Sequence, residues 1–278
     1  MMIGMVVAVA AIVVAGLIGY YFGVSSMGQA GQQSGEAGMT GEQQEGGAQA
    51  MPTGSAGRAS FSEVAELALD TRNGTVTVSE DVTLAAGVVE LTWDYRLDDE
   101  PYTSGDVELR CKQEGGVLEV EDWTGRRSWQ GDTPKLTLTL RHGPGVRSVE
   151  ASHGNGTFSY SGPAGGEFSV GNGKLYVSGD PAGDLTASIG NGKLTVDILA
   201  AAGSIGLSVG NGTAKVQLRQ GSGGELKASV GIGDIRAPAG VTVARSHMLG
   251  ATASGSVGSG EASIEIDVGN GSINVTGA

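Results

Sequence analysis

The 278-residue chain is 39% hydrophobic and holds 50 glycines with no G-X-Y period, so it can bury one or two cores, is not collagenous, and favours a turn-rich β fold. Its formal net charge is −13, about −9 of it within residues 61–150, and no segment has a basic excess, which argues against nucleic acid as a partner. A single cysteine, Cys111, excludes an internal disulfide framework.

In chain order, the first predicted element is a transmembrane helix. Residues 2–23, MIGMVVAVAAIVVAGLIGYYFG, carry no charge. At about 1.5 Å per residue such a run spans the roughly 30 Å hydrocarbon core of a bilayer. Tyr20, Tyr21 and Phe22 fit an interfacial aromatic belt. A cleaved signal peptide competes with this reading but lacks a basic leading region. Residues 1–24 are thus expected to anchor a single-pass protein in the cell membrane. The bulk of the chain is expected outside the cytoplasm, on the strength of the very short tail before the helix. Residues 25–60 are rich in Gly, Gln, Ser and Ala with little apolar surface to offset backbone entropy, and predict a disordered linker.

Residues 61–150 predict a β-rich lead-in. Alternating runs at 87–97, 107–123 and 134–143 read as strands, the second as a hairpin turning at Glu114-Gly115-Gly116. Cys111 shares parity with Val107 and Leu109 and is expected to be a buried, inert thiol.

From residue 151 onward a repeat dominates. SVGNGKLYVSG at 169–179 returns as SIGNGKLTVDI at 188–198 and SVGNGTAKVQL at 208–218. The centres fall at Asn155, Asn172, Asn191, Asn211, Ile232 and Asn270, spaced 17, 19, 20, 21 and 38 residues apart. The last gap suggests a degenerate unit near 248–255. Each centre is flanked by glycines: Gly154 and Gly156, Gly171 and Gly173, Gly190 and Gly192, Gly210 and Gly212, Gly231 and Gly233, Gly269 and Gly271. Around Asn191, alternation puts Leu185, Ala187, Ile189, Leu194, Val196 and Ile198 on one face. The pattern predicts two short strands per unit joined by a sharp Gly-Asn-Gly bend, with glycine and Asn serving left-handed backbone and stacked asparagines forming an amide ladder that Ile232 interrupts. His153, where later units have Val or Ile, suggests a partly solvated end rung. These features favour an all-β, right-handed parallel β-solenoid (β-helix) of about 19–20-residue rungs over 151–278. An antiparallel meander of Asn-Gly hairpins is the alternative.

A β-rich lead-in followed by HGNGTFSYSG, VGNGKLYVSG, IGNGKLTVDI, VGNGTAKVQL and VGNGSINVTG resembles the prokaryotic putative-adhesin family of β-solenoids, also called toastrack domains, over roughly residues 60–278. The resemblance implies a non-enzymatic envelope role in adhesion, scaffolding or stress sensing, and brings no catalytic residues.

The residues themselves point the same way. His142, His153 and His247 lack ligand spacing, and no calcium-binding nonapeptide occurs, so no metal is expected. Asp94, Asp98, Asp99 and Glu100 read as a solvated loop, and Asp180 and Asp184 as turn formers. No catalytic residue and no cofactor are expected. The partners expected are the membrane, an unidentified protein or envelope-surface ligand, and a second copy through exposed strand edges. The competing functional readings are a β-helix enzyme acting on polysaccharide, which needs carboxylates facing exposed aromatics, and a self-assembling cytoplasmic scaffold.

Overall fold

The computed structural model describes residues 49–50, 55–102, 106–124, 133–198, 203–219, 222–246, 250–258 and 261–277. The expected transmembrane helix, and most of the expected linker, lie outside them. Among the described residues no helix is long and apolar enough to cross a membrane.

Sixteen strands are described: β1 (Gln49–Ala50), β2 (Ala56–Phe61), β3 (Glu66–Glu80), β4 (Val89–Leu97), β5 (Glu100–Pro101), β6 (Val107–Glu114), β7 (Val117–Thr124), β8 (Lys135–His142), β9 (Ser148–Ser161), β10 (Gly165–Gly179), β11 (Leu185–Ile198), β12 (Ser204–Leu218), β13 (Gly223–Arg236), β14 (Val241–Arg245), β15 (Ala251–Gly258) and β16 (Ala262–Gly277). The repeat units are single strands bent at their centres, and neighbours pair in parallel, Asn172 with Asn155, Asn191 with Asn172, and Asn211 with Asn191. A meander would pair them antiparallel, so the parallel reading holds.

The alternation seen in the sequence is the alternation of burial. Leu185, Ala187 and Ile189 before the bend and Leu194, Val196 and Ile198 after it are all buried. The inward side chains of both halves join one core. Phe158 and Tyr160, from the second half of β9, meet Phe168, from the first half of β10, with ring centroids 5.9 and 4.9 Å apart. The two half-sheets therefore face each other across that core. Each rung contributes about six apolar side chains, and truncating a fully buried leucine in such a layer costs about 2–5 kcal/mol.

The strand pairing departs from the sequence reading in four places. The stack has a rung more at its start: β3 pairs in parallel with β9, Asn73 opposite Asn155. This rung sits inside the segment read as lead-in. Beyond it the bent geometry ends, since the first half of β3 pairs with β7 and the second half with β8. Second, the strand order is β12-β16-β13, so β16 enters between two strands that precede it in the chain. Asn270 lies against Asn211 on one side and Ile232 on the other. Third, residues 251–258 form no rung; as β15 they run antiparallel to β13 and carry β14 on their outer side. Fourth, Ala56–Ser60, expected in the linker, belong to β2 and pair antiparallel with β4. Gly57 permits this because a side chain there would strike the Trp93 ring.

The remaining lead-in follows its pattern. β6 and β7 form a hairpin with Glu114 opposite Val117, and Gly115 and Gly116 take φ of 58° and 85°, the geometry that a two-residue turn between twisted strands requires. Cys111 is buried, and burial pushes its thiol pKa up to about 11, so it stays protonated and unreactive at neutral pH.

Candidate functional site

The recurring bend is built from three residues with separate tasks. At Gly192, the second glycine, φ is +140°, and a Cβ would collide with the carbonyl of Gly173 one rung away. At Gly190, the first glycine, no left-handed φ is needed; a Cβ would lie only 2.6 Å from the carbonyl oxygen of Gly171. Close rung-to-rung approach, more than left-handed backbone, therefore dictates the first glycine. Asn is absent from the residues with positive φ, which among the described non-glycine residues are Glu63, Asp98 and Asp99. The expectation that Asn supplies left-handed backbone is thus corrected: its contribution is its side chain.

Those side chains form a column on the surface. Each Nδ2 donates to the Oδ1 of the neighbour nearer β3: Asn155 to Asn73 at 2.9 Å, Asn172 to Asn155 at 2.8 Å, and Asn191 to Asn172 at 2.9 Å. Asn211 to Asn191 and Asn270 to Asn211 complete it, both at 2.9 Å. Ile232 does not interrupt this ladder. Because β16 is inserted before β13, Ile232 stands past its last member and is 53% exposed.

On either side of the column the outward residues also align by register. Three positions before the centre run, in spatial order, Asp70, Ser152, Ser169, Ser188, Ser208, Asp267 and Ser229. Ser188 Oγ donates to Ser169 Oγ at 3.2 Å. With Glu119, Glu121, Glu150, Glu167 and Glu265 on the same side, this outer face is acidic. The opposite outer face carries Lys174, Lys193 and Lys215 among Ser and Thr hydroxyls. Strands of a sheet are about 4.8 Å apart, so both faces repeat their chemistry at that interval.

The end of the stack at β3 holds a buried polar knot that sequence reasoning missed. Asp122, 3% exposed, accepts the Arg72 backbone N–H at 3.0 Å and the Tyr95 hydroxyl at 2.7 Å. Burial, reinforced by the Asp122 charge, pushes the Tyr95 pKa up, so the phenol remains a donor. His153 is 1% exposed, which corrects the expectation of a solvated end rung: β3 covers it, and its Nδ1 lies 2.9 Å from the Thr71 hydroxyl. Desolvation lowers the His153 pKa. His142 is buried as well, its Nδ1 3.1 Å from the Gly143 carbonyl oxygen, while His247 lies outside the described residues.

The other sequence candidates fall where turn chemistry places them. Asp98 and Asp99 form the exposed turn between β4 and β5, and Asp94 pairs with Arg96 at 2.6 Å. Asp184 Oδ1 accepts the Ser204 N–H at 2.8 Å. Among the described residues no three His, Cys, Asp or Glu side chains converge on a common point. Trp93, Tyr95, Phe158, Tyr160 and Phe168 are buried in the core, so they offer no stacking platform. A cleft of about 360 Å³ opens beside the β13 bend, lined by Ser229, Gly231, Arg245 and Thr252. Arg245 pairs with Asp234 at 3.3 Å.

With this geometry, the chain is similar to putative adhesins of known structure. A "putative cell adhesion protein" from Clostridium sporogenes has 15% identity and a TM-score of 0.46, covering 80% of this chain and 100% of that one. A "putative adhesin" from Bacteroides fragilis has 9% identity and a TM-score of 0.30, covering 80% of this chain and 97% of that one. Another from Parabacteroides merdae has 15% identity and a TM-score of 0.27, with 84% and 97% covered. No family model and no curated protein sequence matches the chain. The parallel stack stands on strand register and the amide column, independently of these likenesses.

Proposed function

We propose that this chain is a non-enzymatic display module, a rigid right-handed stack held from a membrane anchor at residues 1–24, that binds a partner through its flat polar faces in adhesion or envelope scaffolding. The observation that carries this reading is the register itself: polar side chains repeat in columns on both outer faces, one acidic and one lysine-bearing, over a single core. Such a surface suits a partner that is itself extended and repetitive, because each rung adds the same weak contact and the contacts sum. The uncharged run 2–23 supports the anchor.

The test uses the full chain reconstituted in vesicles and measures adhesion to immobilised cells and cell-surface polymers. Charge reversal of Lys174, Lys193 and Lys215 together is expected to weaken binding at least tenfold without changing thermal stability by more than a few degrees. Hydrolysis of any surface polymer by the unmodified chain would replace this reading with an enzymatic one. Protease accessibility of the chain on intact cells, against lysed cells, tests its side of the membrane.

Self-association is the second reading, favoured by one feature. Among the described residues, the second half of β13, from Ile232 to Arg236, pairs with β16 on one side and has no partner on the other, and Ile232 and Val243 are two of the three exposed large apolar side chains.

A further inference from the structure

We infer that the asparagine column is a site of spontaneous deamidation in which ladder position sets the rate, so that its two end members, Asn73 and Asn270, convert before the four between them. All six asparagines precede a glycine: Gly74, Gly156, Gly173, Gly192, Gly212 and Gly271. Glycine is the next residue that leaves its own backbone nitrogen most open to reaction with the preceding side chain. That nitrogen attacks the Asn Cγ, forming an N–Cγ bond. The Cγ–Nδ2 bond breaks, the proton from the glycine N–H passes to the departing nitrogen, and ammonia leaves a succinimide ring. Water then opens the ring at one carbonyl or the other. The product is aspartate, or isoaspartate with one additional methylene in the backbone, and the only co-reactant is water.

Attack requires the carboxamide to turn toward the glycine nitrogen, out of the ladder. Asn155, Asn172, Asn191 and Asn211 each donate one ladder bond and accept another, so turning breaks two. Asn73 only accepts and Asn270 only donates, so turning breaks one. A hydrogen bond of this kind changes the population of the open state by roughly two- to tenfold. Backbone restraint does not distinguish the six, because the glycine after each one has φ between +132° and +144° and is pressed against a neighbouring carbonyl. Exposure is the same for Asn270 and the interior four, so Asn270 isolates the effect of ladder position; Asn73 is half-buried, which works against its conversion and is outweighed by the ladder bond it lacks.

Conversion has different consequences at the two ends. A carboxylate at position 73 still accepts the Asn155 N–H, now with charge. A carboxylate at position 270 has no donor for the Asn211 oxygen, so the last ladder bond is replaced by two opposed oxygens. Damage at the β16 end therefore loosens the column, and damage at the β3 end does not.

The experiment incubates the full chain, native and in denaturant, at mildly alkaline pH and quantifies asparagine, aspartate and isoaspartate over time by peptide mapping. In denaturant all six are expected to convert at rates within about twofold of one another. In the native chain Asn73 and Asn270 are expected to convert at least about threefold faster than the interior four, one ladder bond's worth. Equal native rates at ends and interior would overturn the proposal. Ile232→Asn supplies a second, independent readout: it extends the ladder and makes Asn270 an interior member, so the Asn270 rate falls to the interior value while Asn73 is unchanged. An unaltered Asn270 rate in that variant, with the protein still folded, would equally overturn it.

Discussion

The two ends of the stack are closed by different means. At the β3 end, both halves of the terminal rung are covered, one by β7 and one by β8, and the bend between them is filled by Asp122 and Tyr95. At the other end, β15 covers only the first half of β13, and among the described residues the strand from Ile232 to Arg236 has no partner on that edge. A repeat array needs its last backbone groups satisfied, by protein or by water. The first end uses a buried carboxylate; the second uses solvent and the Asp234–Arg245 pair, whose side chains are 69% and 73% exposed. Stability is therefore concentrated at the β3 end, and the capacity to accept a further strand at the β13 end.

Substitutions sharpen this contrast, beginning with a reference in the middle. Leu194→Ala, in a fully buried layer, is expected to lower the unfolding free energy by about 2–5 kcal/mol in denaturant titration, the largest effect of the series. Asp122→Ala leaves the Arg72 N–H and the Tyr95 hydroxyl without their acceptor and is expected to cost about 2–3 kcal/mol. Asp234→Ala, the matching change at the open end, should fall within about 0.5 kcal/mol of the unmodified chain. If the two aspartates cost the same, the ends are not closed differently.

A pH series gives a smaller effect confined to the β3 end. The folded-state pKa of His153 lies below its ordinary 6.5, so the unfolded chain takes up the proton first as the pH falls. The contribution of His153 is present in full above pH 6.5 and is lost progressively below it. His153→Val, which copies the residue at Val209, should flatten the thermal-midpoint profile in that range. The smallest expected change is a gain: Ile232→Asn adds one amide to the ladder and should stabilise by about 0.5 kcal/mol, visible as a thermal midpoint raised by a degree or two.

What could be read from the sequence was whatever repeats locally. Parity gave the core of every rung, and the recurrence of Asn marked the column. The rung at Asn73 was hidden because Arg72 stands where the other units have their first glycine. That glycine is needed only where another bend lies on the side toward which its Cβ points. Gly154 approaches the Arg72 carbonyl, but among the described residues no bend lies beyond Arg72, so a side chain is tolerated. The placement of β16 was hidden for a different reason. A repeat states that rungs stack, but identical edges do not specify which stacks on which. Ile232 was the one available sign, since a residue that cannot join the ladder belongs at its end. Asp122 and His153 were illegible because their partners, Arg72, Tyr95 and Thr71, are distant in sequence and ordinary in composition.

The position of β16 has a mechanical consequence. A strand at the margin of a sheet peels away one hydrogen bond at a time. β16 is held by parallel neighbours along both edges, β12 and β13, so a pull directed along the strand loads the bonds on both edges together, in shear. Its bend at Asn270 then hooks it against the column, and tension must straighten the hook before the strand can slide.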